Sequence, residues 1–129
     1  MLESGHTQAI NKKVKAAGVY ALKIQTMMNN GVPDCWYSGN KDDLGVEMKY
    51  ILKLPKKLTT EIKINLSDLQ YEWLTSRYVE KRNVAVAIGS GKGWYIATAP
   101  SLWGTPILQK DLTKTRNEVI EWIIKQTNA

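Results

Sequence analysis

Cysteine and histidine are nearly absent from this chain, which carries Cys35 and His6 and no others. A single cysteine rules out an internal disulfide and a paired-cysteine metal knuckle. A single histidine rules out a HExxH zinc site or a His-rich centre. Any metal held here must rest on oxygen ligands, which selects a hard cation such as Mg²⁺, or Mn²⁺ in its place, over zinc. No run of about eighteen apolar residues occurs, so no membrane span is predicted. The opening MLESGHTQAINKK has no apolar signal core, and the expectation is a cytoplasmic protein.

What is present is ordinary in bulk and biased in charge. With 129 residues, 43% hydrophobic and 23% charged, the expectation is one globular domain over 1–129. The net charge is +6 and the pI about 9.4. A basic balance favours polyanionic partners, because phosphate contacts release counterions. Lysine is much commoner than arginine, which suits phosphate contact better than bidentate reading of bases.

No repeat or low-complexity tract divides the chain. Residues 7–17, TQAINKKVKAA, place Ile10, Val14 and Ala17 on one helical face, with Thr7 as N-cap and Gly18 as stop. VYALKI (19–24) reads as a strand, MNNGVP (28–33) as a turn, DCWYS (34–38) as a short strand and GNKDD (39–43) as a polar turn. GVEMKYIL (45–52) is the clearest strand of this half. An irregular basic connection follows, with Pro55 discouraging regular pairing. Ser67 and Gln70 form a capping-box pattern, and Leu69, Trp73, Leu74 and Tyr78 keep helical spacing behind it. VAVAIG is a buried strand, SGKG a hairpin turn and WYIATA the returning strand. Thr115 and Glu118 repeat the capping pattern before a last helix. The order of helix, three strands, helix, two strands and helix predicts an α/β protein with a mixed central sheet flanked by helices.

The chemistry concentrates around the strand at 45–52. Side chains alternate faces along a strand, so Glu47 and Lys49 leave one side while Val46, Met48 and Tyr50 leave the other. Charges inside a sheet are costly unless they are paired or hold something. Asp34, behind Pro33, reaches the same face if its strand pairs with this one as a hairpin. Two carboxylates and a backbone carbonyl, with Met48 best placed, make a hard-oxygen site for Mg²⁺. Lys49 beside it is suited to positioning a water or stabilising charge on a phosphate.

The series GVPD, VEMK, LSDLQYEWL and VAVAIG resembles the PD-(D/E)xK nuclease superfamily. More closely it is similar to the small stand-alone VRR-NUC domains, of phage type, and to their archaeal Holliday-junction resolvase relatives. The resemblance runs from about Val19 to Ile96 and implies a restriction-endonuclease-like core. It implies Asp34 and Glu47 as metal-binding acids, Lys49 as the active-site lysine and Gln70 as a glutamine facing the site. Relatives of this kind carry an acid in the first helix. Here that helix offers Thr7, Gln8 and Asn11, with Glu3 upstream of it. Either Glu3 folds over the site, or the metal relies on Asp34 and Glu47, or the protein is impaired.

Plainer readings exist for each residue. Asp34 suits a turn, Glu47 and Lys49 suit a solvated edge strand, and Gln70 suits its cap, a role compatible with facing the site. Lys12, Lys13 and Lys15, together with Lys53, Lys56 and Lys57, form either a DNA-tracking surface or a solvated face. The five tryptophans (36, 73, 94, 103 and 122) are expected in the core or at a subunit interface rather than stacked on bases. Cys35 is expected buried and His6 on the surface.

The expectation is an Mg²⁺-dependent endonuclease acting on DNA, with one or two ions held by Asp34, Glu47 and the Met48 carbonyl. Selection of branched DNA, a Holliday junction or a flap, follows from the resemblance, as does the host-cell cytoplasm if the chain is phage-encoded. Paired cutting would need a homodimer with a two-fold axis. The alternative is a nucleic-acid-binding module with a degenerate nuclease site.

Overall fold

The computed structural model describes residues 3–24 and 32–129, without the side chains of Glu3 and Ser4. The turn expected over 28–33 therefore lies mostly outside the described residues. Helix α1 (Glu3–Ala16) leads into strands β1 (Tyr20–Lys23), β2 (Cys35–Ser38) and β3 (Asp43–Ile51), which pair antiparallel in sequence. Helix α2 (Asp68–Val79) crosses over to β4 (Val84–Ser90), which runs parallel to β3, and β5 (Trp94–Ala97) returns antiparallel to β4. A parallel pair requires such a crossover. The sheet has the order β1-β2-β3-β4-β5 and is mixed, as the sequence pattern predicts.

Helices α1 and α4 (Arg116–Thr127) cover one face of the sheet. Ile10, Val14, Val119 and Ile123 pack there against Val46, Met48 and Ala87. The other face is covered by α2 through Leu74 and by the connection after β3 through Ile62 and Ile64, against Val86 and Ile88. Every residue of β4 is buried, as befits a strand covered on both faces.

Several expectations are corrected. Helix α1 begins at Glu3, so Thr7 is not its N-cap. Thr7 falls in the buried stripe with Ile10, Asn11 and Val14, one turn inside the helix. The polar turn after β2 is shorter than GNKDD, because Asp43 already pairs with Ser38. Leu69 and Tyr78 are exposed, since the inward stripe of α2 runs through Gln70, Trp73, Leu74 and Arg77. His6 is half-buried and stacks on Tyr50 with ring centroids 4.0 Å apart, rather than lying free on the surface. A short helix α3 (Pro100–Trp103) and a 3-10 turn (Gln109–Asp111) occupy a stretch for which no element was expected.

Candidate active site

The hairpin of β2 and β3 builds the acid pair. Its register sets Cys35 opposite Val46, which brings Asp34, one residue before the strand, beside Glu47. The backbone N–H of Asp34 donates to Glu47 Oε2 at 3.2 Å, and the backbone N–H of Met48 donates to Asp34 Oδ2 at 3.1 Å. Each carboxylate is thus held by the other strand's backbone. That exchange locks both side chains on the face opposite Cys35, Val46 and Met48. The Met48 side chain packs in the opposite core, so only its backbone belongs to the site.

Glu47 is 2% exposed, an unusual place for a carboxylate. It is tolerated because donors surround it. Gln70 Nε2 donates to Oε1 at 2.9 Å, and Lys49 Nζ lies 3.5 Å from the same oxygen. Lys49 follows Glu47 by two positions on β3 and shares its face. Its ammonium also donates to Gln70 Oε1 at 3.4 Å.

Gln70 is both cap and site residue. Its backbone N–H donates to Ser67 Oγ, and its Oε1 accepts from the Ser67 backbone N–H at 3.0 Å, which completes the capping box of α2. The same carboxamide turns its Nε2 to Glu47, so the start of α2 is tied to the middle of β3.

Burial, reinforced by the neighbouring Asp34 carboxylate, pushes the Glu47 carboxyl up from 4.5 to about 8, with Lys49 opposing. Two carboxyl groups forced together in a dry setting resist joint ionisation. A hard cation relieves that conflict, and the donor set of oxygens fits one. Among the described residues no three His, Cys, Asp or Glu side chains cluster as a metal site, so the pair has no third acid there.

The other candidates divide between the two faces. Asn11 is buried and does not meet the pair. Its Oδ1 accepts from the Tyr37 hydroxyl at 2.6 Å and its Nδ2 donates to Cys35 Sγ at 3.7 Å, all on the α1 side of the sheet. Thr7 is buried on the same stripe, while Gln8 is exposed. Glu3 lies on α1 itself rather than upstream of it. Lys12, Lys13 and Lys15 are exposed on α1, across the sheet from Glu47. Lys53, Lys56 and Lys57 are exposed on the connection that turns onto the face carrying Glu47, where Ile62 and Ile64 anchor it.

Two features escaped the reading of the sequence. Lys63 lines a cleft with Lys49 beside β3, brought there by a connection without periodicity. A larger cavity, about 410 Å³, opens between Trp36 of β2 and Trp73 of α2. The signal for it was present in the spacing, since Trp36 is two residues from Asp34 in a strand and Trp73 three from Gln70 in a helix.

No protein-family model matches the sequence, and no curated protein matches it. Among solved structures, the chain is similar to Hjc of Archaeoglobus fulgidus, a Holliday junction resolvase from an archaeal hyperthermophile. The TM-score is 0.58 at 17% sequence identity, over 90% of this chain and 96% of that one. The mixed five-stranded sheet with flanking helices is therefore a fold shared with a resolvase.

Proposed function

We propose that this chain, acting as one domain, is a divalent-metal-dependent endonuclease that hydrolyses DNA phosphodiester bonds. The observation that carries the reading is the convergence of Asp34, Glu47, Lys49 and Gln70 on one face of a sheet at hydrogen-bonding distance. A buried Glu47 beside a partly buried Asp34, with Gln70 and Lys49 both turned to one of its oxygens, has no structural need of itself. It stores unfavourable electrostatics, as sites of chemistry do.

Asp34 and Glu47, with the Met48 carbonyl, would hold one or two Mg²⁺ ions, with Mn²⁺ able to replace them. A bound ion would supply Lewis acidity. The residues do the rest. Lys49 sets a fixed positive charge where negative charge grows on phosphorus-bound oxygens. Gln70 holds Glu47 and, through it, the orientation of the pair. In the reaction one P–O ester bond breaks, water's oxygen joins phosphorus, and the departing oxygen takes a proton.

The resolvase fold and the sequence resemblance to VRR-NUC domains support branched DNA, a four-way junction or flap, as substrate. They also support a homodimer for paired cutting, and a cytoplasmic setting, in a host cell if the chain is phage-encoded. The lysines at 53, 56 and 57, and those at 12, 13 and 15, would grip phosphates without reading bases. A second reading is a nucleic-acid-binding module with a degenerate site. It is favoured by the burial of Thr7 and Asn11, which leaves the described part of α1 offering no acid to the pair.

Labelled linear, flap and four-way-junction DNA, incubated with Mg²⁺, Mn²⁺ or EDTA, tests the proposal. Cutting that needs metal and falls by at least about a hundredfold in Lys49→Ala is the expected result. Intact DNA under every condition with folded wild-type protein would sink the enzyme reading in favour of the binding module.

A further inference from the structure

The cavity between β2 and α2 continues the catalytic face. Trp36 follows Asp34 by two positions, so both leave β2 on the side opposite Cys35 and Tyr37. Trp73 and Arg77 follow Gln70 by three and seven positions, so all three lie on one stripe of α2. The strand that follows Asp34 and the helix that carries Gln70 therefore also present two indoles to one space of about 410 Å³. The Arg77 guanidinium stands 5.9 Å from the Trp73 ring centroid.

Packing does not account for Trp36. Trp94 and Trp103 are 5% and 2% exposed, as core tryptophans are, whereas Trp36 is 36% exposed. Beside it Tyr20, 56% exposed, meets the indole edge-on at 5.9 Å. The charge around the cavity is mixed. Arg77, Lys81 and Arg82 line it together with Asp42 and Asp43. Both acids have internal partners, since Asp43 accepts from the Ser38 hydroxyl at 2.6 Å and Asp42 from the Asp43 backbone N–H at 2.8 Å. Arg77 also pairs with Glu80 at 3.3 Å. The lining is thus close to neutral in sum, and Lys81 and Arg82, which make no ion pair among the described residues, are the cations left to meet a phosphate.

We infer that this cavity receives an unpaired nucleotide of the DNA strand, its base stacked on Trp36 and Trp73 and its phosphate facing Lys81 and Arg82. The inference rests on the nuclease reading above. Aromatic faces with flanking cations hold single strands without regard to sequence, because every base has a stacking face. A space of this volume suits a ligand the size of one nucleotide. The consequence for substrate choice is specific. A single-stranded arm next to a duplex fits the face, whereas a continuous duplex leaves the cavity unused.

The test is binding without catalysis. Fluorescence anisotropy in EDTA would compare a blunt duplex, the same duplex with a single-stranded flap, and a single strand, for wild type, Trp36→Ala and Trp36→Tyr. Thermal melting would check that each variant folds. The expected result is tighter binding of flap than of blunt duplex by wild type. Trp36→Ala should lose about tenfold for the flap and little for the duplex, with Trp36→Tyr restoring most of it. Equal binding of flap and duplex by wild type, or a folded Trp36→Ala indistinguishable from wild type, would overturn the inference. Absence of binding to any DNA would overturn it along with DNA as the ligand. Binding with the expected pattern but no cutting in Mg²⁺ or Mn²⁺ would leave the inference standing and remove the nuclease.

Discussion

Gln70 joins the end of a helix to a buried acid: its Nε2 donates to Glu47 Oε1 at 2.9 Å while its Oε1 accepts from the Ser67 backbone at 3.0 Å. One carboxamide thus couples the stability of α2 to the orientation of the acid pair, and the two roles are separable by substitution. Gln70→Glu keeps an acceptor for the Ser67 N–H, since glutamate is equally suited to that place in a capping box. It removes the donor to Glu47 and adds a third negative charge. The expected outcome is a helix retained by circular dichroism and cleavage reduced by about a hundredfold in single-turnover assays. Gln70→Ala loses both roles and should also cost about 1 kcal/mol in denaturant unfolding.

The acid pair makes stability depend on pH. The folded-state pKa of Glu47, about 8, lies above the ordinary 4.5. Between those values the folded chain holds a proton that the unfolded chain has released, so stability falls as pH rises through that window. Asp34→Asn removes the neighbouring charge and should make the decline in thermal melts shallower, while the larger effect of burial persists. A bound cation has the opposite effect, because it takes the place of the proton. The rise in Tm produced by Mg²⁺ or Mn²⁺ should be larger at pH 8 than at pH 6. A metal-induced shift independent of pH would contradict this account.

Asn11 occupies a position in the first helix where an acid could be imagined to complete the metal site. Its bonds to Tyr37 and Cys35 place it in the opposite core. Asn11→Asp should therefore bring no gain in cleavage and should lower unfolding stability by about 1–3 kcal/mol, through a buried carboxylate that lacks the amide donor. Enhanced metal-dependent activity in that variant would show the two faces to be connected.

The two lysine groups should differ. Replacing Lys53, Lys56 and Lys57 by alanine should lower the slope of log Kd against log salt by about 0.9 for each DNA phosphate that is no longer neutralised. The same change at Lys12, Lys13 and Lys15 should alter it less, because α1 packs on the face away from Glu47. Salt titrations of flap binding would measure both.

Much of this architecture was legible in the chain. Period-two patterning in GVEMKYIL separated Glu47 and Lys49 from Val46 and Met48, because adjacent side chains in a strand cannot share a face. Capping boxes at Ser67 and Thr115 marked two helix starts, because the hydrogen bonds involved span only three residues. The start of α1 is not legible, for the same reason in reverse. Thr7 has the chemistry of an N-cap, and only the packing of its stripe against the sheet places it inside the helix.

Sequence by itself determined which residue types are candidates for chemistry here: two carboxylates without histidine or cysteine partners, one lysine on the strand of an acid, and a glutamine at a helix start. These follow from residue type and short-range geometry. Tertiary structure alone decided which of them meet. The antiparallel register of β2 on β3 set Asp34 against Glu47, thirteen residues away in the chain. The crossover through α2 carried Gln70 to the same carboxylate and laid Trp73 opposite Trp36. Strand register and helix docking are fixed by burial summed over the whole sheet, and no local pattern encodes that sum.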